Sequence, residues 1–78
     1  MIVELDCVAL NVARPEHGLA AGDVGAVVHA WKNGRDYDVE VVTFDGKTVA
    51  IVKLSADQIR PLAQNDIHHA RPFQAAAR

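Results

Sequence analysis

The run DYDVEVVTFDGKTVAIVKL, Asp36 to Leu54, holds two apolar-rich segments joined through an Asp-Gly pair. In the first, Tyr37, Val39 and Val41 alternate with Asp36, Asp38 and Glu40, the period of two that marks a strand with one face toward a core. The second is rich in β-branched residues, which pack well on a pleated surface. Asp45-Gly46 supplies turn chemistry between them. The run therefore reads as a β-hairpin with strands Asp36–Phe44 and Lys47–Leu54.

Working outward, Asn33-Gly34 precedes this hairpin and is the strongest turn signal in the chain, because a type I′ turn needs positive φ at both central residues. Ahead of it, Asp23 to Trp31 (DVGAVVHAW) reads as a strand, with Val24, Ala26, Val28 and Ala30 on one face and Gly25, Val27, His29 and Trp31 on the other. A glycine inside a strand marks a bulge, a bend or a close backbone approach, so Gly25 is the expected point of curvature. Leu5 to Val12 alternates as a first strand, with Val8, Leu10 and Val12 on one side. Between the two lies a ten-residue loop, Ala13 to Gly22, longer than a tight hairpin requires. Beyond Leu54, Ser55 is placed to cap a single helical turn through Gln58. Ile59 to Leu62 then makes a short fifth strand whose Pro61 confines it to a sheet edge.

Five short strands with close turns specify an all-β domain, a small SH3-like half-open barrel over residues 1–62. Residues 63–78 change character. They are alanine-rich and lack glycine, and Ala63 to Ala70 is long enough for two helical turns. This tail is expected either to dock on the barrel or to be partly helical.

With 78 residues the chain is one small domain, in which burial of the unfolded chain's surface is only roughly 60%. Its single cysteine, Cys7, excludes an internal disulfide, and its apolar neighbours predict a buried, inert thiol. The first residues carry Glu4 and Asp6 rather than a basic leader, and no apolar run reaches the ~18 residues of a membrane span. A cytoplasmic protein without membrane contact is the expectation. The net charge of −2, with signs mixed along the chain, argues against a dedicated nucleic-acid binder, which draws its affinity from a basic excess.

No catalytic set emerges. Ser55 is the only serine and serves as a cap; GDVG lacks the lysine and following helix of a phosphate loop. His68 and His69 are adjacent, so their side chains diverge, and neither they nor His17 and His29 have ligands at metal spacing. The chain reads as a non-enzyme without cofactor or metal. What stands out is a stripe of carboxylates, Asp36, Asp38 and Glu40, on one face of a strand, suited to a basic partner surface. The adjoining strand is apolar on both faces. Val49 and Ile51 are assigned to its outer side, where only Thr48 and Lys53 interrupt the apolar run, so the tail or a partner is expected to cover that face.

The order PEHGL (Pro15–Leu19), GDVGAVV (Gly22–Val28), DYDVEVV (Asp36–Val42), FDGKT (Phe44–Thr48) and ADQIRPL (Ala56–Leu62) resembles a family of small bacterial proteins classed as a domain of unknown function. The resemblance covers about residues 4–62. Ala26 stands where the family often has threonine, and the tail falls outside the pattern. The resemblance implies an SH3-like barrel with no assigned catalytic residue, and small proteins that partner others in antitoxin-like, immunity-like or accessory roles.

Two readings of function follow. In the first, Trp31, Asp36, Asp38, Glu40, Val49 and Ile51 form a surface that holds another protein or a second copy of the chain. In the second, Arg14, Lys32, Arg35 and Lys47 bind nucleic acid, with Trp31 or Tyr37 as a stacking platform.

Overall fold

The computed structural model describes residues 2–74. Five strands follow in chain order: β1 (Cys7–Leu10), β2 (Val24–Ala30), β3 (Asp36–Val42), β4 (Thr48–Ser55) and β5 (Ile59–Pro61). Their order in the sheet is β4-β3-β2-β1-β5, and every pairing is antiparallel. A 3₁₀ turn, Ala56–Gln58, carries the chain from β4 to β5, which returns to pair with β1. The result is the all-β, half-open barrel of SH3-like form expected from the sequence. Pro61 lies on β5, an edge strand, where its missing N–H interrupts no ladder.

Side chains alternating from each strand meet in one core. Val8, Leu10, Val27, Val39 and Leu54 are its largest fully enclosed members, joined by Leu19, Tyr37, Val41, Val52 and Ile59. Gly25 sits at the tightest place. A Cβ there would stand 2.6 Å from a Val39 methyl and 2.7 Å from the Glu40 carbonyl oxygen. The glycine is thus demanded by close approach, one of the roles expected of it, and not by a positive φ.

The turns differ from expectation. Gly34 (φ 72°) and Gly46 (φ 88°) take the left-handed conformation, whereas Asn33 does not, so Asn33-Gly34 is not a type I′ turn. Asn33 works through its side chain instead. Its Oδ1 accepts the N–H groups of Arg35 (2.8 Å) and Asp36 (3.0 Å), and its Nδ2 donates to Asp36 (2.8 Å). This Asx geometry gives the backbone a local partner, and one glycine completes the turn.

Alternation breaks twice. A bulge between Val27 and His29 inserts Val28, and a second between Val41 and Val42 inserts Val49 opposite them. One extra residue moves everything beyond it to the other face. His29 and Trp31 therefore leave the side of Val27 assigned to them, and Ala30 turns inward against the core.

The long loop is more ordered than its composition implies. Pro15–His17 forms a 3₁₀ turn, Arg14 and Leu19 exchange backbone hydrogen bonds (2.9 and 3.0 Å), and Leu19 drops into the core. Gln58 ties this loop to the turn before β5, accepting from Arg14 Nη2 (3.3 Å) and from the Ser55 N–H (3.0 Å). Cys7 is exposed, not buried. The neighbouring residues Val8 and Ala9 enter the core, while Cys7 stands at the outer start of β1.

Over 63–74 the tail forms no helix; residues 75–78 of the expected tail lie outside the described residues. Asp66 folds its first turn, accepting the Ala63 N–H (2.6 Å) and both guanidinium arms of Arg60 (2.9 and 3.0 Å). Farther on, Arg71 docks on Asp23 and Gly18 of the long loop.

Two expectations follow. Replacing Gly25 with alanine forces a methyl into occupied space, and overpacking of this kind costs about 1–3 kcal/mol; a lowered urea midpoint at unchanged slope measures it. Asp66, held by Arg60 and the Ala63 N–H, has its pKa lowered from 3.8 to about 2. Because the folded value lies below the unfolded one, the contribution is complete above 3.8 and is lost as pH falls through about 2. Carboxyl NMR titration should place Asp66 near 2, and Arg60→Ala should return it toward 3.8.

Candidate functional site

Strand β3, paired on both sides by β2 and β4, sends Tyr37, Val39 and Val41 inward, which obliges Asp36, Asp38 and Glu40 to face out. Register then chooses their neighbours. Asp38 stands between His29 on β2 and Lys53 on β4, Glu40 between Ala26 and Ile51, and Asp36 opposite Ser55. The outer face of β2–β3–β4 is thus a grid in which carboxylates run down the middle.

Trp31 is fixed at one end of this grid. Its Nε1 donates to Asp38 Oδ1 (3.1 Å), the Lys53 ammonium lies 4.5 Å from its ring centroid, and His29 meets it edge-on at 4.8 Å and 87°. An indole held through its N–H, its face and its edge loses little freedom on binding. Trp31 as a whole remains 41% exposed. Around it, Lys53 also approaches Asp36 (4.0 Å), and His29 approaches Glu4 (3.9 Å). Glu40 accepts from the Thr48 hydroxyl (2.7 Å), and Asp36 is braced by Asn33. Three carboxylates against Lys53 leave the face net negative.

Five of the six surface residues expected from the sequence share this face: Trp31, Asp36, Asp38, Glu40 and Ile51. Ile51 projects freely at 56% exposure, and Val42 on β3 adds a second exposed aliphatic group. Val49 does not belong. As the bulged residue it packs against the core and lines a groove that runs past the Glu40 end of this face. His29 and Lys53, which brace the tryptophan, were not among the expected site residues. The signal for Lys53 was available: a hairpin closed through Asp45-Gly46 brings it opposite Asp38. The signal for His29 was hidden by the bulge at Val28.

That groove, of about 680 Å³, runs between the long loop, the β3–β4 turn and the tail. Cys7, Val24, Val42, Phe44, Val49 and Phe73 are among the residues along it. Asp23 closes one side. Arg71 beside it, together with the Ala20 N–H, holds its carboxyl below the usual carboxylate value, against the opposing effect of partial burial. Among the described residues, no group of three or more His, Cys, Asp or Glu side chains is gathered as for a metal, and no helix is long and apolar enough to cross a membrane.

The four cations of the nucleic-acid reading are divided. Lys32 and Arg35 lie in the turn before β3, while Lys47 lies in the turn after it, beside Asp45 (4.0 Å). Arg14 is engaged with Gln58. Strand β3 separates the two turns, so no continuous basic track joins them.

Comparison with known families closes the matter of kinship. The model of a domain of unknown function, DUF4926, matches residues 4–61, three strands' worth of hairpin and both flanking strands included. The chain belongs to the DUF4926 family. The match ends at Pro61, so the tail that carries Asp66 and Arg71 lies beyond it. No curated protein and no solved structure matches the chain.

The bracing of Trp31 is open to measurement. It is the sole tryptophan, so its fluorescence reports this face alone. Lys53→Ala uncovers the ring and should raise its quenching by iodide, at a stability cost within about 1 kcal/mol. Unchanged quenching would place the ammonium elsewhere in solution.

Proposed function

We propose that this DUF4926 chain is a non-enzymatic protein-binding module, the small antitoxin-like, immunity-like or accessory partner of another bacterial protein in the cytoplasm. The observation that carries this reading is the outer face of β2–β4. It combines a fixed, exposed indole with a net negative stripe and the exposed Ile51, and the docked tail leaves Trp31 and Ile51 open. An aromatic anchor amid charge is the composition of an interface core with its rim. The partner's complementary surface is basic, with an apolar ridge for Ile51. Its lysines and arginines would replace Lys53 as the counter-charges of Asp36, Asp38 and Glu40.

The test begins with capture of the binding protein from the native host on the immobilised chain, followed by calorimetry with the purified pair. Ile51→Glu should weaken binding at least about 10-fold, since a buried carboxylate without a partner costs more than 1.4 kcal/mol. Its fold should be intact, because a substitution at so exposed a site shifts stability by about 0.5 kcal/mol or less. Neutralising the stripe (Asp36→Asn, Asp38→Asn, Glu40→Gln) should slow association and remove its salt dependence. Wild-type affinity in both variants would overturn the assignment. Light scattering across a concentration series tells a foreign partner from a second copy of the chain.

A further inference from the structure

Arg71 lies ten residues past the end of the family match, yet the barrel receives it in a prepared site. Its Nε donates to Asp23 Oδ1 (2.8 Å), and its Nη2 donates to Asp23 Oδ2 (2.6 Å) and to the Gly18 carbonyl (2.9 Å). Both receptor residues are set by contacts the tail does not make. Asp23 Oδ2 accepts the Ala20 N–H (2.8 Å), the Asp23 N–H donates to Ala20 (3.1 Å), and its carbonyl accepts from Leu10 of β1 (2.9 Å). Gly18 is held by its N–H bond to Pro15 (3.0 Å) and by a left-handed φ of 72°.

Two residues along, Phe73 lays its ring over Gly18. A Cβ at Gly18 would stand 2.9 Å from the ring Cε1 and 3.0 Å from the Gln74 carbonyl oxygen, and the φ of 72° already favours glycine there. Pro72 lies between the two contacts. Its fixed φ, and the extended bias it imposes on Arg71, leave the segment little freedom to lose on docking. The barrel side offers acceptors only, a carboxylate and a carbonyl, arranged for a fork plus one further N–H. A guanidinium fills that arrangement; an ammonium, a point charge, matches it less well.

We propose that Gly18 and Asp23 form a recognition site for an extended Arg-Pro-aromatic segment, that Arg71-Pro72-Phe73 is its intramolecular ligand, and that a partner segment of the same chemistry takes the site by displacing the tail. The site is built from Gly18 and Asp23, neither of which belongs to the outer face of β2–β4, and either assignment stands or falls without the other. Tethering gives the tail a high effective concentration, so the intact chain resists displacement. Removing the tail's two anchoring side chains frees the receptor.

The probe is a synthetic peptide of the sequence His68–Gln74 with blocked ends, titrated into the ¹⁵N-labelled full chain carrying Arg71→Ala and Phe73→Ala. Both side chains are substantially exposed, so the variant should retain a dispersed spectrum. Saturable shifts are expected at Gly18, Ala20 and Asp23, with none at Asp38 or Ile51. The wild-type chain should need at least about 10-fold more peptide, because its own tail competes. A peptide with lysine in place of arginine should bind about 5-fold or more weakly. Asp23→Asn, added to the double variant, should abolish the shifts. A second readout needs no altered chain: excess peptide should move the Phe73 ring resonances of the wild-type protein toward random-coil positions. Absence of saturable shifts at Gly18 and Asp23, or equal binding of the lysine peptide, would overturn the proposal.

Discussion

The packing of β2 against β3 at Gly25 is the constraint on which the rest of the molecule depends. A Val39 methyl and the Glu40 carbonyl occupy the space a side chain would need, so β2 passes β3 without a spacer there. Val27 and Val39, paired across the same strands, are fully enclosed as a result. The base of the long loop is pinned to β1 alongside, through Leu10 N–H to Asp23 and Gly22 N–H to Leu10. Leu19 then falls into the core, and Asp23 is fixed at the loop's exit, facing the tail. The close approach at Gly25 thus sets the core beside β3, and the adjoining backbone bonds set the loop and the seat of Arg71.

Strand β3 was the most legible part of the chain. From Asp36 to Val41 its polar and apolar residues alternate, so its inward and outward sets were plain from composition. Strands β2 and β4 were harder, because each contains one residue too many. Val28 and Val49 are β-branched like their neighbours, and nothing in their chemistry marks them as bulged. Yet each changes the side on which a residue falls. Val28 carries His29 and Trp31 to the acidic face, which makes the braced indole possible, and Val49 leaves that face for the core. Gly25 stood out in the sequence as a point of curvature, and the structure shows that close approach to Val39 and Glu40 is what requires it. Asn33-Gly34 did not follow its dipeptide preference, because the Asn33 side chain supplied the turn's hydrogen bonds itself.

Long-range pairing escaped sequence reasoning altogether. Asp23 and Arg71 are 48 residues apart, and no periodicity connects them. Arg60 and Asp66 are only six apart, but the tail's composition left docking and partial helix both open, and the fork between them closes a non-helical turn. Cys7 was misplaced for a simpler reason. Its neighbours enter the core, but residue 7 begins the strand, with its side chain on the outer side.

The two proposed surfaces balance their charge in different ways. Along β3 the carboxylates of Asp36, Asp38 and Glu40 stand roughly 6.6 Å apart, two residues of strand rise. That is within the Debye length of about 8 Å at physiological salt, so they repel one another. Lys53 offsets part of this from one side, and Thr48 and Trp31 offer only hydrogen bonds. Exposed pairs of this sort add little to stability, so the stripe is not what holds the barrel together. Its repulsion is relieved only when further cations arrive from outside. At Asp23 the opposite holds: the counter-charge is already present, partly shielded from water, and supplied by the chain itself. Occupancy there is an exchange of one guanidinium for another, which alters the charge of the site not at all. In the proposed roles, discrimination at Asp23 would come from shape, from the fork and the bare backbone at Gly18, while on β3 it would come mostly from charge.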